Sequence, residues 1–406
     1  MKTFYKNKTT IYLFAIRRIP FKMEKNWNKH WFQFVLDNIH LTWSWRSLSC
    51  NPNINMEIVK ENMHLPWNWK SMSCNVNLTW DFIVNTQFPD NVWDWNLLSS
   101  NKNIHMDIIE QNIEKPWNYY ELSLNPNLTW EFIDAHREKK WNWSFISQHK
   151  CITLDIIKHN QDNQYYKWCR YHMSKNGNIT WEMIQSNPDI NWDLNGFCLN
   201  PNITLDIVKS IEPNMPDYYW KTLSSNRSLT WDFVKTFPNK YWCWEKLSCH
   251  PNITMEIFEA NRNYPWNIYW LHLNKNFDLH VAKKFISENV NENYFIYSSR
   301  NITFENMQNE HFIIMNSIGD TRGVSANPNL SWDIVEENKQ TIQWCWRTLS
   351  ENKFIKEKEL FECRIKHQNF IQENVFEDLV KIALHPSKIN KYLNMGYSID
   401  ELDNIL

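Results

Sequence analysis

Glycine is almost absent from this sequence: 406 residues contain only five, at Gly177, Gly196, Gly319, Gly323 and Gly396. Loops that cradle phosphate, dinucleotide-binding fingerprints and nucleophile elbows all need glycines at close, fixed spacing. None of the five stands in such a motif. We therefore expect no nucleotide-dependent chemistry, no cofactor and no enzymatic activity.

The sequence also lacks an excess of charge and a long apolar run. Its 43 basic and 45 acidic residues leave a net charge of −2, without a basic stripe, so the electrostatic attraction that drives nucleic-acid binding is missing. The apolar run at residues 11 to 16 is too short to cross a bilayer. The sequence thus predicts neither a nucleic acid nor a membrane as partner.

What the sequence does contain is one motif in many copies, of which residues 122 to 133 read LSLNPNLTWEFI. Equivalent positions recur every 24 to 28 residues. Such a period is typical of stacked repeat arrays. The positions equivalent to Asn127 are Asn53, Asn77, Asn103, Cys151, Asn178, Asn202, Ser228, Asn252, Asn276, Asn301 and Asn329.

The motif predicts the start of a helix. Thr129 is a favourable N-cap, and Glu131 places a negative charge at the positive end of the helix dipole. Leu128 and Ile133 have the spacing of a hydrophobic staple. An Asn seven residues after the cap, as at Asn62, predicts a left-handed residue that closes the helix.

A second motif, W-x-W-x-x-L-S, follows each first motif, as at residues 93 to 99. We interpret it as a second short helix, with the second Trp and the Leu on one face. The alternative is a strand in a leucine-rich-repeat-like β/α solenoid, but the segment is poor in β-branched residues. The prediction is an all-α solenoid of about twelve or thirteen helix-loop-helix repeats with atypical end caps, whose core holds most of the 25 Trp residues.

Three segments are expected along the chain. Residues 1 to 22 carry no repeat and are predicted to be a disordered extension, with Met23 as an alternative start. Residues 23 to 350 form the array, with weaker copies at 274 to 325, and residues 24 to 49 are expected to cover its exposed end. Residues 351 to 406 are charged and predict a helical C-terminal cap.

The nine cysteines show no framework spacing, which favours reduced thiols in a cytosolic setting. Cys50 and Cys74 occupy one position of adjacent repeats. With packed helices about 8–10 Å apart, we expect this pair to be too far apart for a disulfide. The best cluster of metal-ligand types lacks the paired spacing of a zinc site, so no metal is expected. This cluster comprises Cys243, Cys249, His250 and His272, with Cys169 and His172 behind it.

Tandem N-P-N-[IL]-T-W-[DE] units, as at residues 125 to 131, alternate with W-x-W-x-x-L-S. Over about residues 38 to 406 this resembles the repeat proteins of unknown function encoded by giant DNA viruses of amoebae, the mimivirus relatives. Residues 383 to 406 resemble the ending that those proteins share. The resemblance implies a viral protein in the host cytoplasm and leaves virion association open. The Asn-rich composition suits an AT-rich genome and weakens a functional interpretation of Asn.

Within the tail, residues 395 to 397 read M-G-Y and resemble the loop of a ubiquitin-associated domain. Such a domain has three helices, and the printed sequence ends after one more. We interpret the segment as an end cap, with ubiquitin binding as the alternative.

Two kinds of function fit these patterns. The first is a non-enzymatic scaffold that binds an unknown protein partner, with a host protein as one candidate, through positions that vary between repeats. The second is a self-assembling structural protein of the virus particle or replication compartment. The residues predicted to face a partner are Lys70, Ser71, Asn96, Tyr120, Glu121, Glu245, Lys246 and Arg347.

Overall fold

The computed structural model describes residues 26 to 271, 273 to 278, 321 to 374 and residue 394. In these residues the regular structure is α-helical, apart from the short 3-10 helices Asp90–Val92 and Glu212–Asn214, and there is no β-strand. The all-α prediction is confirmed. The leucine-rich-repeat alternative is wrong for this part of the chain, because the W-x-W segments begin helices.

The first helix of each repeat, the A helix, starts at the predicted cap. The Thr129 hydroxyl accepts a hydrogen bond from the Phe132 N–H at 3.3 Å. One acid two residues after a cap shows the expected stabilisation: hydrogen bonds from Thr254 and from its own backbone N–H lower the pKa of Glu256. The A helices are Met56–Glu61, Trp80–Thr86, Met106–Gln111, Trp130–Ala135, Leu154–Asn160, Trp181–Ser186, Leu205–Ile211, Trp231–Thr236, Met255–Ala260 and Trp332–Glu337.

The second helix, the B helix, is capped by the residue between the two Trp positions. Oδ1 of Asn118 accepts hydrogen bonds from the N–H groups of Tyr120 and Glu121 at 3.0 and 3.3 Å. This cap was not predicted, although Asn, Asp or Ser stands there in most copies. The B helices are Trp45–Cys50, Trp69–Met72, Trp95–Ser100, Tyr119–Leu122, Trp143–Ser147, Arg170–Lys175, Leu194–Phe197, Asp217–Leu223, Trp244–Ser248, Ile268–Leu271, Arg322–Ser325 and Trp346–Glu351.

The Asn at the end of the A helix does not adopt the predicted left-handed conformation. Asn62 has φ −128° and ψ 38°, and among the described non-glycine residues only Gln87 and Phe354 have positive φ. Instead, Nδ2 of Asn62 donates to the Ile58 carbonyl at 2.9 Å. The side chain therefore closes the helix by satisfying a carbonyl of the last turn.

The Trp residues pack in columns. The first Trp of W-x-W is buried: Trp117 donates from Nε1 to the Asn112 carbonyl at 2.8 Å and meets Trp95 edge-on at 4.9 Å between ring centroids. The second Trp and the Trp after the cap are mostly half-buried, as are Trp95 and Trp130. The prediction of a Trp core is confirmed for the first column and holds in part for the other two.

Buried Asn side chains join adjacent repeats. Nδ2 of Asn125 lies 2.8, 3.2 and 3.0 Å from the carbonyl oxygens of Ser99, Asn101 and Ile104 in the preceding repeat, and its Oδ1 accepts from the Asn127 N–H. These Asn residues have a structural role, because a buried amide needs such partners. The same kind of contact to the preceding repeat is made by Asn75, Asn101, Asn176, Asn200, Asn226, Asn274 and Asn352.

Two further columns complete each junction. Nδ2 of Asn127 donates to the Lys102 carbonyl of the preceding repeat at 2.6 Å. The Ser of the second motif bridges forward: Oγ of Ser123 donates to the Tyr119 carbonyl and accepts from the Asn142 N–H of the next repeat at 2.9 Å. In most of the described repeats, these side chains tie a repeat to both of its neighbours. Cys198 replaces the Ser in one copy, and Cys151 replaces the second Asn in another.

The last described repeat packs against the first. Oγ of Ser350 accepts from the Ser44 N–H at 3.0 Å, and Nδ2 of Asn51 donates to the Ser350 carbonyl at 2.9 Å. Trp43 meets Trp346 edge-on at 5.0 Å. These are the contacts that join consecutive repeats elsewhere. Residues 43 to 53 therefore have a neighbour where an exposed end was predicted.

The chain divides into two compact units, Val35–Phe354, which holds the repeats, and a second one formed by Met1–Phe34 with Ile355–Leu406. In the second unit, the 20-residue helix Ile355–Asn374 is consistent with the predicted helical segment. Its Phe361 stacks on His30 at 4.6 Å and lies 5.6 Å from Trp27. The predicted extension at 1 to 22 and the tail at 383 to 393 and 395 to 406 lie outside the described residues.

The weaker copies at 274 to 325 are described only at their two ends. Residues 279 to 320 lie outside the described residues. Arg322–Ser325 forms a B helix although it lacks both Trp residues. Oγ of Ser325 accepts from the Cys345 N–H at 3.0 Å, so this divergent copy keeps the standard junction.

Candidate interaction surface

All eight residues predicted to face a partner lie on B helices. They occupy the second and third positions of W-x-x-L-S, counted from its Trp. The Leu and Ser at the fourth and fifth positions face the neighbouring repeats instead. Exposed among them are Lys70, Asn96, Tyr120, Glu245, Lys246 and Arg347, whereas Ser71 and Glu121 are half-buried. The structure therefore places them on one layer of the array.

A third variable position, directly after the Ser, belongs to the same surface and was not predicted. Leu124 and Leu273 stand there with 46% and 57% of their surface exposed. The signal was present in the sequence, since this position holds Cys, Ser, Leu or other residues in different copies while the Leu and Ser before it recur. We define the B-helix surface as the second, third and sixth positions of each copy, for example Tyr120, Glu121 and Leu124.

Side chains of this surface contact one another across repeat junctions. The Tyr120 ring meets the Phe145 ring of the next repeat at 6.4 Å between centroids. Nζ of Lys246 lies 5.1 Å from the centroid of the Trp270 ring, again one repeat further on. Adjacent B helices thus present their variable side chains as a continuous row.

The row carries both signs of charge. Lys70 and Arg347 are basic, Glu121 and Glu245 are acidic, and Tyr120 is aromatic and exposed. A surface with charges of both signs presents no extended positive field to a phosphate backbone. Such a surface can instead discriminate between protein partners through its pattern of charges.

The candidate metal ligands do not converge in the described residues. There, no three His, Cys, Asp or Glu side chains lie close enough together to hold a metal ion. Cys169 and His172 form a pair, with Sγ 3.0 Å from Nδ1. His272 lies outside the described residues.

His250, one of these candidate ligands, and His149 in an earlier copy replace the buried Asn of the repeat junction. His250 is 4% exposed, its Nε2 lies 2.8 Å from the Asn226 carbonyl of the preceding repeat, and its Nδ1 accepts from the Asn252 N–H. His149 makes the equivalent contact to the Asn125 carbonyl at 3.1 Å. Burial lowers the pKa of both imidazoles.

Cys50 and Cys74 lie much closer together than predicted. Their Sγ atoms are 2.9 Å apart. The prediction was wrong because the spacing of helix axes does not limit side chains that point toward each other from adjacent helices. Both cysteines occupy the sixth position, so the pair lies on the B-helix surface and is half-buried.

Comparison of the chain with protein-family models, with curated proteins and with solved structures found no match. Evidence on function therefore comes from the B-helix surface itself. Of the helices formed by the described residues, none is long and apolar enough to cross a bilayer.

Proposed function

We propose that this chain is a non-enzymatic repeat scaffold that binds a protein partner through the B-helix surface. The observation that supports this proposal is that, within one copy, some positions join the repeats and others are exposed to solvent. Ser123 and Asn125 are buried at 1% and 0% exposure, where they join repeats, whereas Tyr120 and Leu124 of the same copy are exposed. A row of variable side chains on a regular frame suits an extended protein ligand.

Self-assembly by continued stacking is the weaker alternative. It would place repeats of a second molecule against an exposed end of the array. At residues 43 to 53 that place is filled by Ser350 and its neighbours from the same chain. The contacts therefore favour the scaffold over a stacked polymer.

We also propose, on the resemblance to giant-virus repeat proteins, that the partner is a host protein met in the host cytoplasm. The mixed charge of the B-helix surface supports a protein rather than a nucleic acid. Ubiquitin binding would fall to residues 383 to 406, which lie largely outside the described residues.

The test compares two triple charge reversals of the full chain. The first changes the B-helix surface, with Lys70→Glu, Glu121→Lys and Glu245→Lys. The control changes exposed residues elsewhere, with Glu110→Lys, Glu138→Lys and Lys158→Glu, and shifts the net charge equally. Partners captured from amoeba lysate are identified by mass spectrometry, purified, and titrated calorimetrically against all three proteins.

A purified partner should bind the wild type and the control with similar affinity and lose at least tenfold in affinity for the surface variant. Lys70 and Glu245 are exposed and Glu121 is half-buried on the helix surface. Surface substitutions usually change stability by less than about 0.5 kcal/mol each, so all three proteins should show the same helical dichroism. Equal binding to both variants would overturn the proposed surface. Concentration-dependent polymers of the wild type, with no specific partner, would favour the structural role.

A further inference from the structure

We propose that Cys50 and Cys74 are a modification site, at which a reversible disulfide bond joins two adjacent B helices. The pair links Trp45–Cys50 with the turn that follows Trp69–Met72. The inference does not depend on the proposed partner, because the bond can be detected in the isolated chain.

The geometry brings the two sulfur atoms within reach of each other. Their separation of 2.9 Å exceeds a disulfide bond by only about 0.9 Å. Both sulfur atoms also lie beside one carbonyl oxygen, that of Ser71, at 3.0 Å from Sγ of Cys50 and 3.1 Å from Sγ of Cys74. Both remain half-buried rather than enclosed, so a small oxidant can approach.

The repeat supplies an internal comparison. Cys249 occupies the same sixth position in a later copy, where the adjacent copies carry Ser225 and Leu273. It is also half-buried. Cys249 therefore shares the local setting of Cys50 and Cys74 without a thiol at the matching position of either neighbour.

The two thiols have unequal acidity, which assigns their roles. A hydrogen bond from the Cys50 thiol lowers the pKa of Cys74 to about 7. The same interaction raises the pKa of Cys50. Cys74 is therefore the thiolate that attacks first, and Cys50 is the thiol that resolves the intermediate.

The oxidant is a low-molecular-weight disulfide such as oxidised glutathione. The Cys74 thiolate attacks one of its sulfur atoms, forming a mixed disulfide and expelling one thiolate. The Cys50 sulfur, on losing its proton, then attacks Sγ of Cys74 and expels the second thiolate. Two protein thiols are oxidised, and one small disulfide is reduced to two small thiols.

The bond would tie neighbouring copies at the B-helix surface, beside Lys70 and Ser71. A reduced pair leaves the junction held by its hydrogen bonds and by side-chain packing, such as that of Trp45 on Trp67. An oxidised pair adds a covalent link at the edge of the surface and fixes the spacing of the two helices.

The test oxidises the reduced full chain in glutathione redox buffers, blocks free thiols by alkylation, and digests with trypsin without reduction. Cys50 and Cys74 fall in separate peptides, 47 to 60 and 71 to 102, each with one cysteine. We expect these peptides to appear linked, lighter than their sum by two hydrogen atoms, and to separate after dithiothreitol. Cys249, which has no cysteine in either adjacent copy, should form no linked peptide at a comparable yield.

Single variants test the need for both thiols. Cys50→Ser should accumulate glutathione on Cys74 and form no link, because the resolving thiol is missing, and Cys74→Ser should also form no link. Both should retain wild-type helical dichroism. Absence of the 47–60 to 71–102 link in folded protein, or its formation only at the yield of random pairs among the nine cysteines, would overturn the proposal.

Discussion

At the scale of single residues, one buried side chain, usually an Asn, makes several hydrogen bonds across the junction between two repeats. Asn125 is fully buried and reaches three carbonyl groups of the preceding repeat while accepting a backbone N–H of its own. Asn suits this position because its short side chain offers both donor and acceptor atoms. His is the replacement at His149 and His250 because it also offers both.

Replacing Asn125 with Ala should be strongly destabilising. The Ser99 carbonyl and the Asn127 N–H would lose their partner, while the Ile104 carbonyl would keep only Nδ2 of Asn127. Each buried polar group left unpaired costs about 1–3 kcal/mol. We expect the free energy of unfolding, measured by urea denaturation, to fall by on the order of 3 kcal/mol or more. Asn125→His should lose clearly less, and equal losses for both variants would contradict the assigned role.

The repeat junctions that use His149 and His250 in place of Asn should make the free energy of unfolding depend on pH. His250 fits only as the neutral ring, because its Nδ1 faces the Asn252 N–H while its Nε2 faces a carbonyl. Burial lowers its pKa, and Lys275 lowers it further. With the folded pKa below the unfolded value of about 6.5, this stability is present above pH ~6.5 and is lost as the pH falls through the folded pKa.

We therefore expect the free energy of unfolding to decrease from pH ~7.5 to pH ~5. The variant His149→Asn with His250→Asn restores the amide used in the other copies and should flatten this part of the profile. Urea titrations across the range provide the measurement. A variant whose profile stays parallel to that of the wild type would show that other groups cause the dependence.

At the scale of helices, two adjacent B helices approach each other so closely that only a glycine fits at the contact. A Cβ atom added to Gly196 would lie 2.1 Å from the backbone oxygen of Tyr171, where helix Leu194–Phe197 packs on Arg170–Lys175. Backbone atoms cannot yield as a side chain can. Gly196 therefore sets the approach of these two B helices.

Gly196→Ala should lower the free energy of unfolding by at least about 1–3 kcal/mol, because the helices must separate to admit the methyl group. The control is Gly177→Ala, whose Cβ would meet only a side-chain atom of Pro201 at 3.2 Å. We expect the control to change stability by less than about 1 kcal/mol. Thermal and urea melts should rank the two variants in this order, and the reverse order would refute the close approach.

The helices themselves could be predicted because their signals are local. The cap Thr129 and the staple of Leu128 with Ile133 act within five residues, so the sequence shows both partners at once. The role of Asn125 could not be read in that way, since its partner Ile104 lies 21 residues earlier. The one available clue was that only His replaces this Asn in otherwise regular copies.

The candidate surface was predicted in part. Positions such as Lys70 and Tyr120 were found because they vary among fixed columns, and they are exposed. The contact of Cys50 with Cys74 was missed because a repeat period gives the distance between helices but not the direction of side chains. Whether the surface binds a partner stays a prediction.

At the scale of the whole repeat unit, the chain's last described copy takes the place before its first. The hydrogen bond from Asn51 to the Ser350 carbonyl spans 299 residues. No sequence pattern could have predicted this pairing, because each copy carries the same joining side chains and could follow any other. The Ser and Asn columns therefore determine how copies join, but not which copies meet.

Hydrogen exchange in Ser350→Ala tests the joining mechanism and this pairing together. The Ser44 N–H donates to Oγ of Ser350, just as the Asp94 N–H donates to Oγ of Ser73. Measured by mass spectrometry with residue-level fragmentation, Ser350→Ala should speed exchange at Ser44, and Ser73→Ala should do the same at Asp94. Faster exchange at Asp94 in its variant, with no change at residues 43 to 53 in Ser350→Ala, would contradict the pairing of the last copy with the first.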